Sequence, residues 1–161
     1  MLLKQSVKNH FRVSRLTWLP LIFFTFIWYY TGFDRDYLRV VGIFLLVMNI
    51  SAILLHIQYT FKNWNQTIEI YDGHLYISSE NSTKVLKTNE ICQVALFMSA
   101  TLDNSGAAMF LPRESYHYIK LTTDEGEDII ITCLMSTQLA EIRRLFKHAT
   151  FLRYKGGPFW L

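Results

Sequence analysis

Cysteine is nearly absent from this chain: two in 161 residues, Cys92 and Cys133. They lack Cys-x-x-Cys spacing and a nearby His or Asp, which excludes a thiolate metal site and a redox motif. Both fall in strand-like runs and read as buried, reduced thiols packing as small hydrophobes. Glycine is sparse too, and no glycine-rich loop stands at a strand–helix junction to cradle phosphate. Acidic residues are scarce through position 64, with two Asp against seven Lys or Arg, a net of +5; from 65 onward eleven acidic outnumber nine basic residues, a net of −2. The positive balance of the chain therefore belongs to its N-terminal third. No Lys/Arg stripe interleaved with aromatics exists to receive a phosphate backbone, which excludes a nucleic-acid partner.

What is present in that third is oil. Residues 17–30 read TWLPLIFFTFIWYY, without charge, and residues 40–57 read VVGIFLLVMNISAILLHI. About 20 apolar residues at 1.5 Å rise cross a hydrocarbon layer of roughly 30 Å. Two transmembrane helices, about 13–32 and 38–59, are expected within a membrane anchor spanning 1–64. Trp18, Trp28, Tyr29 and Tyr30 suit the interfaces, and Pro20 falls early, where a missing N–H matters least or a kink follows. A signal peptide is excluded because aromatics and a second span follow, not a small-residue cleavage site. Asn49 and Ser51 can hydrogen-bond to the partner helix, and Gly42 and Ala52 permit close approach, so Asn49, Ser51 and Gly42 are candidate helix–helix contacts. Lys4, Lys8, Arg12, Arg15 and Lys62 flank the pair, against Arg35 and Arg39 between them, so both termini are expected on the cytoplasmic side. A reducing compartment there argues against a disulfide.

After residue 64 the period changes. Ile68 and Ile70 alternate, Asp72-Gly73 is a two-residue hairpin signal, and Leu75 and Ile77 resume the alternation. A turn at 79–83 precedes a strand at 84–87. In 91–100, Cys92, Val94, Leu96 and Met98 share a face. A loop at 101–106, a short strand at 107–111 and Pro112 follow. Residues 116–122 and 128–133 form a hairpin across Gly126. Ser136 or Thr137 can cap a helix running to about His148, with Leu139, Ile142, Leu145, Phe146 and Ala149 on one face. The expected fold is a two-helix transmembrane hairpin followed by an α+β domain, 65–150, of about seven antiparallel strands closed by one C-terminal helix. A short apolar tail, 151–161, ends the chain.

That order resembles the pleckstrin-homology-like (PH-like) fold, and in particular bacterial membrane-linked PH-like proteins, including the YcxB-like group. The resemblance rests on TIEIYDGHLYIS (67–78), KVLKTNEICQV (84–94), MFLPRE (109–114) and LAEIRRLF (139–146). It implies a helix pair ahead of a non-enzymatic interaction domain in the bacterial inner membrane. In eukaryotic PH domains basic residues around the first hairpin grip phosphoinositides. Here that stretch offers Glu69, Asp72 and Glu80 and no Lys or Arg before Lys84, which disfavours that chemistry.

Other candidates for chemistry are weak. Asp124, Glu125, Glu127 and Asp128 crowd one turn without the staggered spacing of a calcium loop, and read as a solvated hairpin tip. His74 and His117 have no Glu or Cys at ligand spacing and read as surface or edge residues. Ser115 lacks the flanking glycines of a nucleophile elbow. Asn49 and His56, polar groups inside a span, keep functional interest. No catalytic, cofactor or metal residue is expected. Lys84, Lys87 and Lys120 can meet an anionic bilayer. The expected function is a membrane-anchored module for protein interaction, assembly or regulation at the cytoplasmic face. Its expected partners are membrane lipid and another membrane protein or a second copy; the alternative is an anionic-lipid or small-ligand sensor.

Overall fold

The computed structural model describes residues 1–32, 35–80, 82–99, 102, 112–156 and 161. A first strand, β1 (Leu2–Lys4), leads into α1 (Val7–Thr31). The Ser6 side chain accepts from the Asn9 N–H at 3.2 Å and caps the helix, satisfying one of its orphan donors. Gly32, at φ 58°, closes it by donating its N–H to the Trp28 carbonyl at 3.2 Å, a left-handed stop that glycine adopts without steric penalty. α2 (Arg35–Lys62) returns alongside.

Two sheets follow. β2 (Thr67–Tyr71) and β3 (His74–Ser79) join through Asp72 and Gly73, at φ 49° and 73°. Two consecutive positive φ values are what a tight hairpin demands of its turn. β4 (Ser82–Lys87) pairs with β3, and β1 pairs with β2, so the first sheet runs β1-β2-β3-β4, all antiparallel. A 3₁₀ turn at Thr88–Glu90 carries the chain to β5 (Ile91–Met98), β6 (Tyr118–Thr123) and β7 (Asp128–Thr132). The short α3 (Leu139–Ile142) and a 3₁₀ turn at Arg143–Leu145 precede β8 (Thr150–Lys155). The second sheet runs β7-β6-β5-β8, with β8 parallel to β5.

One apolar core joins the sheets to the root of the helices. Leu3, Ile68 and Leu75 meet Leu96, Ile119 and Ile131, with Val13 of α1 and Ala52, Leu55 and Tyr59 of α2 in the same cluster. An aromatic ladder continues it across the second sheet: Tyr59 lies edge-on to Tyr118 at 6.1 Å, Tyr118 stacks on Phe97 at 4.6 Å, and Phe97 stacks on Tyr154 at 4.5 Å. Ring pairs at such spacings add to what area burial alone supplies. The buried Asn63, just past α2, covers the outer edge of β7. It accepts from the Thr132 N–H at 3.1 Å and donates to the Ile130 carbonyl at 2.9 Å.

The expected two-helix transmembrane hairpin with seven antiparallel strands closed by one C-terminal helix does not hold. Among the described residues one helix is long and apolar enough to cross a membrane by length and composition, the 24 residues Arg39–Lys62 of α2. α1 starts at Val7 and so takes Lys8, Arg12 and Arg15 into its first half, with Pro20 inside it; its oily run is shortened accordingly. Among the described residues eight strands form two open sheets, because Leu2–Lys4 pairs with β2 and Thr150–Lys155 with β5. The expected closing helix stops at Ile142, with only a 3₁₀ turn beyond it, since the chain must turn back at 147–149 to reach β5. Leu139, Ile142 and Phe146 are still buried. Cys92 is exposed, because a register shift between Ile91 and Gln93 turns it off the face that Val94 and Leu96 share. The expected strand at 107–111 and positions 157–160 of the tail lie outside the described residues.

Candidate functional site

Polar side chains converge where the helical arm enters the sheets. His10 of α1 and His56 of α2 meet through Nδ1 and Nε2 at 3.0 Å, and His56 Nδ1 meets the Tyr116 hydroxyl at 3.0 Å. Each neutral ring holds one proton, so the chain is directional. Either Tyr116 O–H donates to His56, which donates to His10, or every link is reversed. Burial, helped by the neighbouring Cys133, raises the Tyr116 phenol above its ordinary range, so its O–H stays protonated. The relay ties both helices to the segment before β6. Beside it, Ser14 accepts from the Trp18 indole N–H at 3.1 Å and donates to the His10 carbonyl at 2.7 Å. A cavity of about 170 Å³, largely apolar, opens between Thr17, Trp18, Ile53, His56 and Tyr116. The buried Thr17 Oγ1 has no partner among the described residues.

A second pocket, of about 130 Å³, lies across α1 from the first. Arg12 and Arg15 line it with Ser115, His117 and Thr137. Arg12 Nη1 donates to Thr137 Oγ1 at 3.0 Å. His117 is buried, correcting the expected surface position; its Nδ1 donates to the Ser115 carbonyl at 3.0 Å. Desolvation lowers its pKa to about 4, so the ring is neutral. The pocket's charge therefore comes from the two guanidinium groups.

Residues singled out from sequence are dispersed. Asn49 is buried and donates to the Leu45 carbonyl of its own helix at 2.7 Å; Ser51 is half-buried; a Cβ on Gly42 would meet open space. Lys84 pairs with Glu127, joining β4 of the first sheet to the β6–β7 turn of the second. Lys120 pairs with Asp128 at 3.1 Å. That carboxyl is held below its ordinary pKa, first by the Thr122 hydroxyl and then by Lys120. Lys87 is exposed at the end of β4, and His74 is bonded to the Asp72 carbonyl at 2.8 Å. Of the earlier candidates only His56, Ser115 and His117 belong to the two pockets. His10, Arg12 and Tyr116 were missed because their partners stand 46 to 125 positions away, and Arg15 because it only lines the pocket. The one cue was the spacing of Arg12 and Arg15, which puts both on one face of a helix.

Among the described residues no three His, Cys, Asp or Glu are grouped to hold a metal ion. Neither a curated protein nor a solved structure matches the chain. A family model described as PH domain matches residues 3–142, from β1 through both helices to α3, and the chain belongs to the PH domain family.

Proposed function

We propose that this chain is a membrane-anchored PH-like interaction module, working as an assembly or regulatory subunit at the cytoplasmic face of a bacterial inner membrane. The observation that carries the reading is the outer half of the helical arm. Phe23 and Phe26 of α1 and Ile43, Phe44, Val47 and Ile50 of α2 are all exposed. Contiguous apolar surface of this extent marks a membrane or partner contact. The apolar stretch of α2 supplies the anchor. Lys8, Arg12, Arg15 and Lys62 gather at the root of the arm, which favours the cytoplasmic side for the sheets. The helix pair ahead of the sheets supports closeness to the bacterial membrane-linked PH-like group.

The PH domain is a non-catalytic interaction module of lipid or protein recognition. For the protein partner, the surface we favour is the edge of β4, an exposed strand that among the described residues pairs with β3 alone and ends the first sheet. Such an edge offers unpaired N–H and C=O groups to an incoming strand. The experiment is chemical crosslinking in native membranes followed by purification in a mild detergent. The expected result is a chain resistant to carbonate extraction that carries a protein partner or a second copy. A chain recovered in the soluble fraction, or a bare detergent monomer with no crosslinked neighbour, overturns the reading.

A further inference from the structure

Arg12 and Arg15 stand one turn apart on α1 and line one pocket, and among the described residues neither meets a carboxylate. Two like charges at this spacing repel one another on a helix. The repulsion is relieved when an anion sits between them, and the pocket's walls lower the local dielectric and strengthen the attraction. The guanidinium of Arg12 is fixed by its bond to Thr137 Oγ1. By accepting that bond, Thr137 keeps its own O–H to donate into the pocket. His117, buried and neutral, contributes no charge to the pocket, so the two guanidinium groups set its sign. At about 130 Å³ the pocket has room for a tetrahedral group.

We propose that this pocket is an anion site in which Arg12 and Arg15, with the Thr137 hydroxyl, hold the phosphate group of a phosphomonoester or phosphodiester. Guanidinium forks match phosphate oxygens geometrically, and charge-assisted bonds of this kind are the strong ones. The site lies at the root of the helical arm, away from the first hairpin of the sheet domain. It goes beyond the membrane-anchor reading and stands without it, because a soluble phosphate ester and a lipid headgroup present the same group to these residues.

The test uses the full chain in a neutral detergent at constant ionic strength, with inorganic phosphate as the probe followed by ³¹P line broadening. Wild type is expected to broaden the signal saturably. Arg12→Gln/Arg15→Gln is expected to weaken binding at least tenfold, Arg15→Lys to lose less than Arg15→Gln, and the charge-matched Lys87→Gln/Lys147→Gln to stay within twofold of wild type. Arg15→Gln serves alone if the double variant unfolds, since Arg15 makes no hydrogen bond among the described residues. Embedding the chain in phosphatidylcholine discs, with and without one fifth phosphatidic acid, separates the sources. Loss of phosphate binding with the acidic lipid assigns the site to a headgroup; unchanged binding assigns it to a soluble ester. Phosphate binding equal in the double variant and wild type, or equal losses in the charge-matched control, overturns the site.

Discussion

His117 stands one residue before β6, enclosed, with Nδ1 donating to the Ser115 carbonyl and a pKa lowered to about 4 by desolvation. Once unfolded, its ring returns to an ordinary value near 6.5. Between those values the unfolded chain binds a proton that the folded chain does not, so stability rises with pH there and is lost on acidification. The loss should reach about 2 kcal/mol by pH 5 relative to pH 7, and His117→Gln should remove that share of the slope. Denaturant midpoints at the two pH values measure it; equal slopes in variant and wild type would refute the assignment. The cysteines separate just as clearly. Burial pushes the Cys133 thiol up to about 12, whereas Cys92 is exposed. Only a thiolate attacks a maleimide readily. At neutral pH the native chain should take one adduct, at Cys92, and a second only after unfolding; two rapid adducts on the native chain would contradict the packing around Cys133.

Elements were legible where their signal was local. The left-handed pair Asp72-Gly73 requires two residues that tolerate positive φ, and the sequence displays them side by side. The oily runs around 17–30 and 40–57 are helical, but both helices begin earlier and, among the described residues, the second alone is long and apolar enough for a span, where two were expected. β1 and β8 were not legible, since a three-residue strand and a strand parallel to β5 are specified by distant partners and not by their own pattern. The site shared that fate: Arg12 meets Thr137 only because the arm root packs on the segment after β7. Asn63 is the element-scale consequence. Its amide stands in for a missing neighbour of β7, and it also donates to Gln66 Oε1 at 2.6 Å. Asn63→Leu leaves a buried N–H and C=O on β7 unpaired, and each such group costs roughly 1–3 kcal/mol. The expected outcome is a loss of about 2–6 kcal/mol with faster hydrogen exchange at the Thr132 amide. An unchanged exchange rate there would show that the clamp does not hold the edge.

At the scale of the whole molecule, the arm and the sheets face different environments. The sheets bury Leu3, Ile68, Leu96 and Ile131 in one cluster, as a water-soluble domain does, while the outer arm leaves Val47 62% exposed among other large apolar residues. Water and lipid respond oppositely to a charge at that position. In water an arginine at an exposed helical site changes stability little, whereas within a bilayer it costs roughly 2.5–3.5 kcal/mol by insertion scales. Val47→Arg should therefore deplete the carbonate-resistant membrane fraction by roughly 60- to 400-fold, the fold-change such an energy implies. In detergent its sheet domain should melt as wild type does. Val85→Arg, on the exposed edge of β4, should do the reverse: membrane association stays, and the crosslinked partner is lost. The two variants separate the halves of the functional reading. If Val47→Arg stays in the membrane fraction, lipid does not cover the arm, and a protein partner seated on it becomes the account of its exposed face; if Val85→Arg keeps its partner, the β4 edge is not the docking strand.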